Sequence, residues 1–133
     1  MRPFGYGPQE AMQLLDALGE EGPKYYLTRQ IPLDTAYPAL LAATLISAIC
    51  WLRLRLPYSK LVRAGILCSI GAVFFDYVEN LGVIGMVLTW PDLPELLVYA
   101  SSSATLTKSG MTVVAVSITL FLGAIWLRRS KVV

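Results

Sequence analysis

From Thr35 to Leu54 the chain is almost without charge, and the run is long enough to cross a hydrocarbon layer of ~30 Å at ~1.5 Å per residue. Asp34 stands at its start and can cap a helix, with Pro38 in the first turn, where a missing N–H costs little. A second apolar run enters at about Leu61 and continues to Trp90, interrupted by Asp76, Glu79 and Asn80. Trp90-Pro91-Asp92-Leu93-Pro94 reads as a turn, because two prolines flanking an aspartate cannot continue a helix. A third helical run extends from Glu95 to Leu127 and ends in Arg128, Arg129 and Lys131. Ahead of all three, Ala11, Leu14, Leu15 and Leu18 recur at helical spacing before Gly19, which predicts a short amphipathic helix with a glycine stop. Gly22-Pro23 then ends that element, and Tyr25 and Tyr26 follow in a stretch suited to an interfacial belt.

The predicted fold is therefore all-α and integral to a membrane. Residues 1–33 form an amino-terminal interfacial segment, and residues 34–133 form a transmembrane domain with crossings at about 35–54, 60–80 and 108–128. The last two crossings belong to an overlong antiparallel hairpin whose tip lies at about 90–94 and projects past the bilayer. The amino-terminal helix is the natural cover for its apolar tips, including Leu81, Val83, Ile84 and Met86. The segment lacks the basic start, apolar core and cleavage site of a secretory signal. On the first crossing Ala36, Ala39, Ala43, Ser47 and Cys50 make a stripe of small residues, the pattern of a helix-contact face in lipid. Gly65 with Ser69, and Cys68 with Ala72, are further small pairs that suit packing.

Composition agrees: 56% of the 133 residues are hydrophobic and 15% are charged, with a mean hydropathy of +0.59, too apolar for an ordinary soluble domain of this size. Charge placement adds an orientation. Seven of the eleven Lys and Arg lie in the Arg53 to Arg63 turn around Pro57 or in the carboxy-terminal tail, where none of the nine acids occurs. The positive-inside rule puts both on the cytoplasmic side and the amino terminus outside. A bacterial inner membrane is the expected location. A fourth crossing would bury Pro91, Asp92, Pro94 and Glu95 in mid-membrane, which argues against it.

There is no histidine, which removes the commonest metal ligand and the usual axial ligand of haem. No metal, cofactor or nucleic-acid partner is expected. Cys50 and Cys68 fall in apolar runs and read as packing residues. Ser101-Ser102-Ser103 has neither a histidine base nor a Gly-x-Ser-x-Gly turn, so a serine hydrolase is not expected. Trp51, Trp90 and Trp126 fall near helix ends, as interfacial anchors do.

The candidate chemistry is a cluster of polar residues at the outer end of the bundle. Gly65, Ser69, Ala72, Asp76 and then Glu79 or Asn80 share one face of the second crossing, and Lys108, Thr112, Ala115 and Thr119 share one face of the third. Asp76 and Lys108 are equally far along the chain from Asp92, so an antiparallel hairpin brings them to one height, and Asp34 arrives there from the first crossing. Asp34, Tyr37, Asp76, Tyr77, Glu79, Asn80, Thr105 and Lys108 are the candidate binding residues. A charge at the bilayer centre costs ~2.5–3.5 kcal/mol by insertion scales, so these groups must pair, reach water or hold protons. They are either a structural network around Lys108 or a cavity that binds a cation, moves a proton or handles a lipid.

Three motifs, Asp34-Thr35-Ala36-Tyr37-Pro38, Phe75-Asp76-Tyr77-Val78-Glu79-Asn80, and Ala100-Ser101 with Thr105 and Lys108, together resemble a type of small, uncharacterised bacterial multi-pass membrane protein. The resemblance covers Asp34 to Arg128 and implies no activity. Small membrane isomerases of the sterol-isomerase type are similar in placing acids and aromatics within a helical bundle. They usually have four or more crossings against the three here, and their pattern has no residue-by-residue match.

Three functions follow as expectations. The first is a non-catalytic accessory or assembly subunit of a larger membrane complex or a homo-oligomer, given the small-residue faces and the lack of catalytic apparatus. The second is a lipid-binding or lipid-modifying protein using the carboxylate and lysine site, with membrane lipids as partners. The third is an ion or proton pathway, weakened because no acid continues from Asp76 towards the cytoplasmic surface.

Overall fold

The computed structural model describes residues 5–19, 22–56 and 59–130, and every regular element among them is helical. Pro3, Pro57 and Lys131 lie outside the described residues. Helix α1 spans Pro8–Leu18, and a single turn, α2, spans Gly22–Tyr25. A π-helical turn over Tyr26–Gln30 leads without a break into α3, Ile31–Arg53. Helices α4, Ser59–Thr89, and α5, Glu95–Ser130, complete the chain. Three helical stretches, Leu27–Arg53, Lys60–Thr89 and Glu95–Ser130, are long and apolar enough to cross a membrane.

Two expectations about the first long helix are corrected. Asp34 is not its cap. Helical backbone already runs through Gly22–Tyr25 and the π turn, so Pro32 occupies the first turn of α3 and Pro38 lies inside it. An interior proline removes one hydrogen bond and pushes aside the carbonyl four residues earlier. Here that carbonyl belongs to Asp34, and a neighbouring helix takes it up. The stripe Ala36, Ala39, Ala43, Ser47 and Cys50 is not the face that α3 packs with, because all five residues are exposed. Ala42, Ile49 and Leu52 are buried instead. Cys50, free and exposed, is accordingly no packing residue, whereas Cys68 is partly covered.

α4 and α5 form an antiparallel hairpin. Between them Gly85 faces Leu97, Gly82 faces Ser101, Gly71 faces Met111 and Gly65 faces Ile118, each step along one helix matched to within one residue by a step back along the other. At ~1.5 Å per residue α4 and α5 are about 46 and 54 Å long. The turn at residues 90–94 has a cis Trp90–Pro91 bond and restarts the chain with Leu97 and Val98 N–H groups donating to Pro94 O. At Gly82 the two helices pack closely: a Cβ there would stand 1.7 Å from Ser101 Oγ. Gly65 does the same for three helices at once, since its Cβ would meet Ile49 of α3 and Ile118 of α5.

Two apolar clusters sit at opposite ends of the bundle. One joins Tyr6, Ala11 and Leu15 to Val83, Met86, Val87 and Val98, with Trp90 against it. The Tyr6 N–H donates to Ser102 Oγ at 2.9 Å, and the preceding Gly5 has φ +85°, with room for no Cβ beside that hydroxyl. Leu81, expected under the amino-terminal helix, is instead 69% exposed, because it lies on the far side of α4 from Val83 and Met86. The other cluster joins Ile49, Leu52 and Leu56 to Val62 and Leu122. Beside it Trp51 meets Trp126 edge to face at 4.9 Å, and the Arg55 guanidinium lies 4.2 Å from the Trp51 ring centre.

Candidate functional site

Between the two clusters the three long helices do not close on one another. They surround a cavity of about 590 Å³. Seven of the eight candidate residues line it: Asp34, Tyr37, Asp76, Glu79, Asn80, Thr105 and Lys108. Tyr77 does not. It lies on the exposed side of α4 and its hydroxyl donates to Thr35 O at 3.2 Å.

The charged end is built by register. The hairpin turn sets Asp76 and Lys108 side by side, and Lys108 Nζ lies 2.5 Å from Asp76 Oδ1. Glu79, one turn further along α4, also pairs with Lys108 through Oε2. The Glu79 side chain is 4% exposed and that of Lys108 26% exposed, so a largely buried carboxylate and a half-buried ammonium share one contact. A buried ion left unpaired is strongly unfavourable, which makes Lys108 the condition on which both acids are tolerated. Thr112 Oγ1 donates to Lys108 O and Thr105 Oγ1 to Ser101 O, so both hydroxyls are satisfied along α5.

α3 is tied in by main chain rather than by charge. Asn80 Nδ2 donates to Asp34 O at 3.2 Å and to Asp76 Oδ2 at 3.3 Å. The Asp34 carbonyl is the one displaced by Pro38, so a side chain from α4 replaces the missing helical N–H. Asn80 thus clasps α3 and orients Asp76 with one amide. The Asp34 carboxylate turns back along its own helix, with Oδ1 accepting from Gln30 Nε2 at 2.9 Å. Gln30 lines the cavity as well and was not anticipated. The spacing from Gln30 to Asp34, four residues on a helix, carried that pairing once the helix was known to begin before Asp34.

Below the charged end the walls are apolar: Leu41, Ala42, Leu45, Val73, Val113 and Ala115, with Ser69 buried and its hydroxyl donating to Gly65 O. From Asp34 to Leu45 is about 16 Å along the axis. The cavity is thus polar at one end and apolar along its length. Among the described residues, no group of three or more His, Cys, Asp or Glu side chains is placed to hold a metal ion. Of the three adjacent serines, Ser101 is buried against Gly82 without a hydrogen-bond partner for Oγ. Ser102 accepts from Tyr6, and Ser103 Oγ donates to Tyr99 O.

Comparison with protein-family models, with curated proteins and with solved structures returns no match.

Proposed function

We propose that the chain is an integral membrane protein that holds an amphiphilic molecule in the cavity between its three long helices. The observation that carries this reading is the polarity of the cavity, with four charged side chains at one end and mostly apolar walls, broken by Ser69, Ser109 and Thr112, over the remaining length. That is the profile of a lipid-like ligand, whose polar head and apolar body must be satisfied at once. The membrane setting is supported by the outer surfaces of the helices. Leu40, Phe74, Leu88, Leu120 and Phe121 are all more than half exposed, an apolar surface that water does not favour and lipid does. The distribution of Lys and Arg orients the bundle with Arg53, Arg55, Arg128 and Arg129 towards the cytoplasm and the charged end of the cavity in the outer leaflet, as in a bacterial inner membrane. Helices of 46 and 54 Å then extend the hairpin tip beyond a hydrocarbon layer of ~30 Å.

Binding is favoured over catalysis by the pairing of the acids. Asp76 and Glu79 both contact the same ammonium, so neither stands apart from it as a separate proton donor or acceptor. A proton path is disfavoured by the lower halves of the helices, which contain no Asp or Glu below this level. The test is native mass spectrometry of protein extracted gently from its own membrane, compared with Ala72→Phe, which fills the cavity wall. A discrete amphiphile mass on the natural protein that the variant loses supports the reading. No retained mass, or one retained equally by both, overturns it.

The exposed small-residue face of α3 favours a second reading, that of an accessory or assembly subunit. Ala39, Ala43 and Ser47 follow one another at four-residue steps and are all exposed. In lipid such a face lets another helix approach closely. A reproducible larger assembly in the same mass spectrum would support it, and the two readings are compatible.

A further inference from the structure

We propose that the ligand of this cavity is cationic: an ammonium or similar monocation attached to an apolar body. The proposal rests on the cavity being a binding site, as argued above, and adds the sign of the charge. Four ionisable groups reach the cavity at its polar end, the carboxyl groups of Asp34, Asp76 and Glu79 and the ammonium of Lys108. With all four ionised the lining carries an excess of two negative charges. Lys108 is already matched by two carboxylates, so an anionic head group arriving there would displace one of them and face the other two. A neutral head would leave the excess uncompensated in a space with mostly apolar walls, where charge is weakly screened. A monocation removes half of it.

The geometry offers that cation a place. Among the described residues the Asp34 carboxylate has one hydrogen-bond partner, Gln30, on Oδ1, which leaves its second oxygen as an acceptor at the cavity end of α3. Tyr37, 69% exposed, stands about one turn further along the same helix and also lines the cavity, so an aromatic ring lies at the rim on the carboxylate's side. That pairing of ring and acid is the arrangement that recognises ammonium groups. Asp34 is also the acid whose loss does least harm, since it takes no part in the contacts of Lys108.

Two probes of the same shape and opposite charge separate sign from size: tetraphenylphosphonium and tetraphenylborate, each measured by equilibrium dialysis against the natural protein in detergent, with empty micelles subtracted. The expected result is saturable binding of the phosphonium, little of the borate, and a phosphonium affinity lowered about tenfold by Asp34→Asn, the scale of one partly screened charge contact. Ala72→Phe should abolish that binding. If both ions bind and Ala72→Phe removes both, the cavity stands and the cation preference is overturned. If neither ion binds although native mass spectrometry shows a retained amphiphile, the cation preference alone falls. Phosphonium binding indifferent to both Asp34→Asn and Ala72→Phe overturns it as well, because the ion is then held elsewhere.

Discussion

Asn80 donates its side-chain amide to the main-chain carbonyl of Asp34 at 3.2 Å, the carbonyl that Pro38 deprives of its helical partner. A proline inside a long apolar helix therefore has its cost met by a neighbouring helix, and the polar residue that does this was chosen at the height of the ion cluster.

This relationship makes a thermodynamic cycle. Asn80→Ala leaves a buried carbonyl without a donor and should cost about 1–3 kcal/mol. In a Pro38→Ala background the helix supplies its own N–H to Asp34 O, and the cost of Asn80→Ala should shrink to what the Asp76 contact alone is worth. Thermal unfolding of the four proteins in one detergent measures it. Equal losses in both backgrounds would show that Asn80 does not stand in for the missing bond.

Lys108 holds two carboxylates, so its removal is expected to be worse than theirs. Lys108→Met should destabilise by roughly 3–5 kcal/mol, because Asp76 and Glu79 remain buried against each other. Adding Asp76→Asn and Glu79→Gln should recover most of that loss, while either alone recovers part. A single Lys108→Met protein as stable as the natural one would remove the ion cluster from any structural role.

The close approach at Gly82 gives a third prediction. Gly82→Ala drives a methyl group into Ser101 Oγ and should cost about 1–3 kcal/mol by overpacking. Ser101→Ala should be near neutral by itself, since it deletes a buried hydroxyl without a hydrogen-bond partner, and should reduce the penalty of Gly82→Ala when combined with it. Additive losses in the pair would contradict the contact.

On the outer face of α3, Ala43→Leu meets no other part of the chain and should leave the melting temperature within about 2 °C, as surface changes usually do. If α3 binds another helix through Ala39, Ala43 and Ser47, the same change should dissolve the larger assembly seen by native mass spectrometry. An assembly unaffected by Ala43→Leu would exclude this face.

How legible was this in the sequence? The hairpin was, and for one reason: Pro91 and Pro94 fix a midpoint, after which counting residues outward pairs Asp76 with Lys108. The three long helices were legible from length and apolarity alone. The rotation of α3 was not. A helix apolar on every side has no amphipathic signal to say which face looks inward, so its small residues point to one contact face while Ile49 and Leu52 make another within the bundle. The start of α3 is hidden for a related reason. An interior proline is costly, which makes Pro38 look like a first-turn residue, and what lowers that cost, Asn80, lies 46 residues from the Asp34 carbonyl it serves. Leu81 illustrates the same limit at the hairpin tip, where two residues separate an exposed side chain from a buried one.

The contact between Tyr6 and Ser102 spans 96 residues, and that separation has a meaning in time. A ribosome adding ~5–20 residues per second reaches Ser102 roughly 5 to 20 s after Tyr6. Throughout that interval the amino-terminal segment has no seat, because the serine that receives it, and the Val98 and Met86 surface beneath Ala11 and Leu15, are incomplete. Asp34 waits likewise for Asn80, and Asp76 for Lys108. Each of these segments is made well before its seat, and α5 is the helix that supplies the seat for Tyr6 and the partner for Asp76.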